Sequence, residues 1–312
     1  MKILLIDHAK KNFREQDTGR WHFLPYYFEK AGHEVLHLTK EDWRKFYATQ
    51  KEFDPDFIIS TGFAGMIPII YKKLGLIKQP LIHDWNDYYD EIFSARLGRL
   101  AAFLERYVIK NSNYVTSPSK YLLHKGKTFG KKVEFIQHGV ELNLTVKKAN
   151  LKGKFKILYI GELTPYKRVD RIIESVKGLN CELYLIGHPT EELKKIAGGN
   201  THFIGRVPHE KIAGYLKAAD VCVVTADQEN LKLWEYAKAG KAVLAYKGRN
   251  RISYFLTHNK TAYITNDLRE GLLRLMKDKK LKRKLEKNIK TLPFYPWKGI
   301  AKKYLDFLLS IK

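Results

Sequence analysis

Two strand-to-helix junctions in the second half of the 312-residue chain hold the residue types that anion chemistry needs. The first follows the apolar run Ile157-Leu158-Tyr159-Ile160 and reads Gly161-Glu162-Leu163-Thr164-Pro165-Tyr166-Lys167-Arg168-Val169-Asp170. A glycine closing a strand, a turn, and adjacent cations at a helix start bring open amides and positive charge to one point, as a phosphate requires. Read alone, the stretch equally describes an ordinary loop with solvated charges. The second junction reads Ala226-Asp227-Gln228-Glu229-Asn230-Leu231-Lys232-Leu233-Trp234-Glu235 and continues to Gly240. Asn230 or Asp227 suits the N-cap of the helix. Glu235 lies in the body of that helix, where a carboxylate can accept bonds from a diol such as ribose. Judged by its helix alone, Glu235 is a surface acid near Lys238 and Lys241.

Elements of a regular kind must hold these junctions. Short apolar or β-branched runs recur at 3–6, 34–38, 57–60, 80–82, 114–116 and 133–136, and again at 155–160, 182–186, 202–204, 221–225, 242–246 and 262–264. Helix-length segments separate them, among them 21–31 and 92–110, the latter apolar at Ile92, Ala95, Leu100, Phe103, Leu104 and Tyr107. That alternation predicts parallel βαβ units with helices on both sheet faces. Segment 144–154 is basic, aperiodic and contains Gly153, and reads as a linker. The expectation is an α/β chain of two Rossmann-like, doubly wound domains, 1–148 and 149–294, followed by a closing helix over 295–312. Ligands of such sheets bind outside the carboxyl ends of the strands, so two facing domains would form a cleft.

Composition narrows the class. Hydrophobic content of 45% with 29% charged residues describes a globular chain, and no apolar run reaches the ~18 residues of a membrane span. The start, Met1-Lys2-Ile3-Leu4-Leu5-Ile6-Asp7, ends in a carboxylate too early for a signal peptide, which predicts a cytoplasmic protein. Cys181 and Cys222 lie in apolar stretches and read as core residues. The formal charge is +24, with 24 cations and 17 anions in residues 1–150 against 33 and 16 in 151–312. An anionic partner follows: phosphate, acidic lipid or nucleic acid. Abundant Lys and Glu with few Cys and Met hint at a thermophile. The basic run 277–290 carries a stripe at Leu281, Leu285 and Ile289, which suits a solvated helix with one buried edge or a patch for a membrane surface or nucleic acid. Trp43-Arg44-Lys45-Phe46-Tyr47 mixes aromatics and cations as bilayer interfaces do. Asp54-Pro55-Asp56 reads as a strand entrance, and no His/Cys/Asp/Glu cluster has metal-ligand spacing.

The second half resembles the donor-nucleotide domain of family 4 glycosyltransferases, group 1, which have the B-type fold. The matching stretches are, in chain order, Gly161-Glu162-Leu163 with Lys167-Arg168-Val169-Asp170, Ile186-Gly187, Phe203-Ile204-Gly205-Arg206-Val207 and Tyr215-Leu216-Lys217-Ala218-Ala219-Asp220-Val221. They end in an acidic pair spaced by seven, Asp227 and Glu235, with Glu235-Tyr236-Ala237-Lys238-Ala239-Gly240-Lys241-Ala242-Val243. The first half is similar more loosely, at Gly32-His33-Glu34-Val35, His83-Asp84-Trp85, Ser117-Pro118-Ser119 and Gln137-His138-Gly139-Val140-Glu141. Phe294-Tyr295-Pro296-Trp297-Lys298 resembles the start of the closing helix that crosses back to the first domain.

The resemblance implies an acceptor domain followed by a nucleotide-sugar donor domain, and transfer of a hexose with retention of configuration. Lys167, aided by Arg168, Gly161 and the amides from Gln228 through Asn230 to Leu231, would hold the donor diphosphate. Glu235 would hold the ribose, Arg206 and its neighbours would flank the base, Asp227 would contact sugar hydroxyls, and His83 would approach the sugar from the first domain. The donor would be UDP- or GDP-linked, with no metal and no other cofactor. The acceptor would be a lipid-linked or other glycan, reached by peripheral contact with the acidic inner face of a membrane; nucleic acid is not an expected partner. Three features depart from the family pattern: Glu162 replaces an arginine on the diphosphate, Asp227 replaces a glutamate, and the loop 8–20 has only Gly19, where the family has paired glycines, with Lys10, Lys11, Arg14 and Arg20 around it. The alternatives are a nucleotide-sugar 2-epimerase of the same fold, and a degenerate member that binds nucleic acid or another anion.

Overall fold

The computed structural model describes residues 1–15, 19–89 and 95–312. They divide into two compact units, Met1–Gly139 with Tyr295–Lys312, and Val140–Phe294.

The first unit is built on one parallel sheet of β1 (Lys2–Ile6), β2 (Glu34–Leu38), β3 (Phe57–Thr61), β4 (Leu81–Asp84), β5 (Tyr114–Ser117) and β6 (Glu134–Phe135), in the order β2-β1-β3-β4-β5-β6. Helices α1 (Arg20–Lys30), α2 (Phe46–Phe53), α3 (Met66–Lys73), α4 (Ala95–Asn111) and α5 (Lys120–Thr128) connect the strands. Every residue of β3 is buried, as a central strand covered on both faces must be. The winding reverses at β1, which has β2 on one side and β3 on the other. The C-terminal helix Trp297–Ser310 belongs to this unit: Trp297 stacks on Phe23, and Tyr304 Oη meets Thr116 Oγ1 at 3.1 Å. Gly139 makes room for it, since a Cβ there would come within 2.5 Å of the Trp297 ring.

One helix sits the other way round from its sequence pattern. On α4 the buried residues are Ala101, Glu105, Val108 and Ile109, whereas Leu100 and Phe103 face solvent. Glu105 can be the inward residue because its carboxylate accepts from Trp85 Nε1 and pairs with Lys125. Ile92 lies outside the described residues, and of Ala95 only the backbone is described.

The second unit repeats the plan with β7 (Lys156–Ile160), β8 (Glu182–Ile186), β9 (Thr201–Gly205), β10 (Val221–Val224), β11 (Ala242–Tyr246) and β12 (Tyr263–Thr265), in the order β12-β11-β10-β7-β8-β9. Its helices are α6 (Asp170–Val176), α7 (Glu191–Ile196), α8 (His209–Ala218), α9 (Leu231–Lys238), α10 (Leu268–Lys277) and α11 (Lys279–Ile289); the C-terminal helix is α12. Period-two alternation sorts the strands onto two cores. Leu158, Ile160, Cys222, Val224, Val243 and Ala245 meet α8 and α9, while Ile157, Tyr159, Val221, Val223, Ala242 and Leu244 meet α6 and α10. Burying each such Val, Leu or Ile is worth about 1.5–3 kcal/mol.

Two expectations are corrected here. The stretch 144–154 is not a free linker, and the second unit begins at Val140 rather than 149. Val140 and Leu142 enter its core, Lys217 Nζ donates to Val146 O, and Ala149 N donates to Gly214 O. The stripe of the basic run is committed to packing: Leu285 and Ile289 of α11 are fully buried in the two cores, with Leu281 packed beside them. The Trp43–Tyr47 cluster is likewise structural, since Trp43 and Tyr47 pack on the core under β1 and Trp43 Nε1 donates to Asp7 O at 2.7 Å. No helix among the described residues is long and apolar enough to cross a membrane.

Candidate functional site

The winding of the second sheet reverses at β7, which has β8 on one side and β10 on the other. At such a switch point the two following loops diverge and leave a crevice at the strands' carboxyl ends. The loops in question are those that follow Ile160 and Val224, so the two junctions singled out by residue type face each other across one crevice.

Side chains tie the two loops together. Thr225 Oγ1 donates to Lys167 O at 2.6 Å, and Lys167 Nζ donates to the Gln228 side chain at 3.2 Å. Gly161 has φ +126° and Gly187 has φ +147°; a Cβ on Gly187 would lie 2.1 Å from Gly161 O, so the loops after β7 and β8 can only pack this closely as glycines.

Lys232, in the first turn of α9, is the residue that sequence reasoning missed. Its ammonium lies over the buried Tyr159 ring, 3.5 Å from the centroid, and a Cβ on Gly161 would be only 3.2 Å from it. Among the described residues it has no hydrogen-bond or carboxylate partner. Burial pushes its pKa well below the usual lysine value, the positive charge of Lys167 pushes it further, and Glu162 and Glu235 pull it back up. The signal was a cation in the first turn of a helix, where the macrodipole disfavours one unless an anion sits there too.

Glu162, which departs from the family's arginine, turns outward: it is exposed and accepts from Tyr166 Oη at 2.8 Å. Arg168 also turns away. It sits in the left-handed region at φ 51° and pairs with Asp170 at 3.0 Å. Arg206 is exposed on the loop after β9.

Glu235 is buried, which removes the surface reading, and its Oε1 lies 2.7 Å from Nε2 of His209 at the start of α8. His209 is a second group that the sequence did not single out. Asn230 is the N-cap residue of α9, but its side chain makes no cap bond, and both polar atoms of its carboxamide are buried without a partner among the described residues. Such a group in a crevice is suited to a ligand.

Two expected roles do not fit the geometry. Asp227 has both carboxylate oxygens on backbone amides, Oδ2 accepting from Arg251 N at 3.0 Å and Oδ1 from Ile252 N at 2.7 Å. It braces the turn Arg251–Tyr254 instead of facing a sugar, and burial raises its pKa in spite of those bonds. His83 is 1% exposed on β4, with Nδ1 3.1 Å from Ser60 Oγ, and burial lowers its pKa to about 4. A strand side chain under the Gly62–Gly65 turn is a core residue. The group at the first sheet's own switch point is His8. It follows β1 and is exposed, and a Cβ on Gly62 would meet His8 Nδ1 at 2.9 Å and Tyr89 Oη at 3.1 Å. The first loop's residues 16–18 lie outside the described residues. A pocket of about 640 Å³ in this unit, lined by Tyr114, Lys131, Lys303 and Phe307, opens at the amino ends of β5 and β6 and is not a switch-point crevice.

Comparison with known proteins fits this geometry. Residues 143–292 match the model of the family glycosyl transferases group 1. An uncharacterised glycosyltransferase of Methanocaldococcus jannaschii is 24% identical over 84% of this chain and 76% of its own length. Among solved structures, Anabaena HepE, crystallised with UDP and glucose, superposes with a TM-score of 0.76 at 17% identity, covering 99% of this chain and all of that one (100%). A Listeria monocytogenes protein assigned as a UDP-N-acetylglucosamine 2-epimerase gives 0.64 at 13% identity, covering 99% and 96%. A variant of S. aureus TarM in complex with UDP gives 0.64 at 16%, covering 84% of this chain and 58% of that one. At these identities the structural likenesses establish the fold.

Proposed function

We propose, on the premise that this chain is a glycosyltransferase of B-type fold whose residues 143–292 form a glycosyl transferases group 1 domain, that it transfers a hexose from a UDP- or GDP-linked donor held at the second unit's switch point. The observation that carries the reading is Lys232: an ammonium with no carboxylate partner among the described residues, under the charge of Lys167 and close to Gly161 at the strand end. A diphosphate supplies the missing negative charge. In the departure step the sugar–oxygen bond breaks and charge grows on the phosphate oxygen, so cations fixed beforehand in a poorly solvated site stabilise that change without reorganising. Lys232 thereby takes the place of the arginine that Glu162 replaces. Glu235, oriented by His209, accepts from the ribose hydroxyls, and the Asn230 carboxamide bonds the phosphate or sugar.

Retention of configuration suits this chemistry, because leaving-group stabilisation dominates and the Asp227 carboxylate is committed to backbone amides. The two lysines remove the need for a divalent ion at the diphosphate. His8, not His83, is the first unit's candidate to meet the acceptor. The charge of +24 favours an anionic acceptor setting, such as lipid-linked or surface glycan at a membrane's inner face. The 2-epimerase alternative rests on likeness of fold alone.

The test is a thermal-shift panel of UDP, GDP, ADP and CMP with their sugar conjugates, with and without EDTA, followed by product analysis with the donor that binds. One nucleotide diphosphate at a hundred times its Kd should stabilise the protein by ~2.7 kcal/mol, with EDTA making no difference. No shift with any nucleotide would overturn the reading.

A further inference from the structure

Half of the large hydrophobic side chains exposed among the described residues lie in two neighbouring segments of the first unit: Ile70, Leu74 and Leu76 on α3 and its following turn, and Leu97, Leu100 and Phe103 on α4. Phe103 is 64% and Leu74 66% exposed. The two segments form one face. On α4, Leu97, Leu100, Phe103 and Tyr107 follow helical spacing away from the buried side, and Lys73 Nζ reaches from α3 to lie 4.7 Å from the centroid of the Tyr107 ring.

The described charges on this face are mostly positive. Lys73, Lys78, Arg99, Arg106 and Lys110 are exposed there. Residues 66–80 contain no Asp or Glu, and the only acid of α4 is Glu105, which is buried against Trp85 and Lys125. Apolar side chains set mainly among cations, with the exposed Asp54 accepting from Gln79, match the two layers of an anionic bilayer surface: headgroup phosphates outside and acyl chains beneath. The same charges oppose a second copy of this chain on that face, because cations would meet cations.

We propose that the α3–α4 face docks on an anionic phospholipid bilayer, with Leu100, Phe103 and Leu74 entering the acyl boundary and the surrounding lysines and arginines on the phosphates. This places the attachment on the first unit rather than on the basic helix α11, whose apolar stripe is already buried. It does not rest on the donor assignment, which concerns the other unit, so either can fail alone.

The experiment is co-sedimentation of the full chain with vesicles of phosphatidylcholine alone or mixed with phosphatidylglycerol. The wild type should bind the mixed vesicles and release as salt rises, with little binding to phosphatidylcholine. Leu100→Ser with Phe103→Ser should lower the partition coefficient roughly tenfold or more, with the thermal midpoint unchanged, because both side chains already face water. Arg99→Gln with Lys110→Gln should lower it several-fold and flatten the salt dependence. Lys279→Gln with Lys280→Gln on α11 should leave it as in the wild type. Four results would each overturn the proposal: no binding of the wild type to mixed vesicles, undiminished binding by the Leu100/Phe103 variant, loss only in the α11 variant, or self-association abolished by the Leu100/Phe103 change in place of vesicle binding.

Discussion

The two units share a six-stranded parallel plan, yet one cation in each is held in an opposite way. In the first, Arg20 is clamped on Asp84 by two bonds of 2.8 and 3.0 Å, donates a third to Gln137 O, and Asp84 also accepts from Thr116. His37 Nε2 also lies 3.0 Å from Asp7 Oδ1 in this unit. In the second, Lys232 lies over an aromatic ring with no ion-pair partner among the described residues. A paired buried charge holds a fold in one arrangement, whereas an unpaired one costs stability until a ligand arrives. Topology alone therefore does not distinguish the two crevices. The pairing state of their cations does.

The largest effect should come from breaking the paired side. Arg20→Ala leaves Asp84 buried and uncompensated, and should cost about 3–5 kcal/mol in denaturant unfolding of the first unit. A loss below 1 kcal/mol would show that the clamp contributes little. Acid should act on the same unit. His83 and His138 are buried with pKa values lowered to about 4 and about 3, His138 through burial first and Arg20's charge second. Both are neutral in the folded chain near neutrality, while the unfolded chain takes up protons from about pH 6.5 downward. Stability is thus full above pH 6.5 and falls toward pH 4 and 3, by roughly 3 kcal/mol for His83 alone. His83→Gln should flatten that slope; an unchanged pH profile would mean the imidazole is solvated.

On the unpaired side the sign reverses. Lys232→Met should raise the melting temperature of the ligand-free protein while weakening nucleotide diphosphate binding by ~1.5–3 kcal/mol. Lower stability together with unchanged affinity would make Lys232 a structural residue. Glu235→Ala should weaken diphosphate and monophosphate nucleotides alike, by a similar ~1.5–3 kcal/mol, since ribose is common to both. The smallest effect belongs to Arg168→Ala. Its exposed pair with Asp170 should be worth ~0–1 kcal/mol, with nucleotide affinity unmoved, and a tenfold loss of affinity would return Arg168 to the site.

The sheet architecture was legible because parallel strands write themselves as short apolar runs: β2, β8 and β11 fall at 34–38, 182–186 and 242–246 as read from the sequence. The junctions were legible by residue type. The partners of those residues were not. Asp227 finds the amides of Arg251 and Ile252 about two dozen positions on, and Glu235 finds His209 across a helix pair, contacts that only tertiary folding creates. Lys232 was passed over because it occupies an unremarked helical position; its isolation is visible only once Tyr159 and Gly161 are seen around it. His83 misled for the converse reason, since a motif-like His-Asp-Trp can equally be the buried end of a strand. Helix α4 misled because its pattern of apolar residues fits either face, and Glu105 turned out to be the inward one.

The most direct test of the unpaired-cation account is calorimetric titration of the wild type and Lys232→Ala with UDP and UMP, and with GDP and GMP in parallel. The account predicts that the wild type prefers one diphosphate to its monophosphate, and that Lys232→Ala loses that preference while keeping its affinity for the monophosphate. The same preference in both proteins would contradict it.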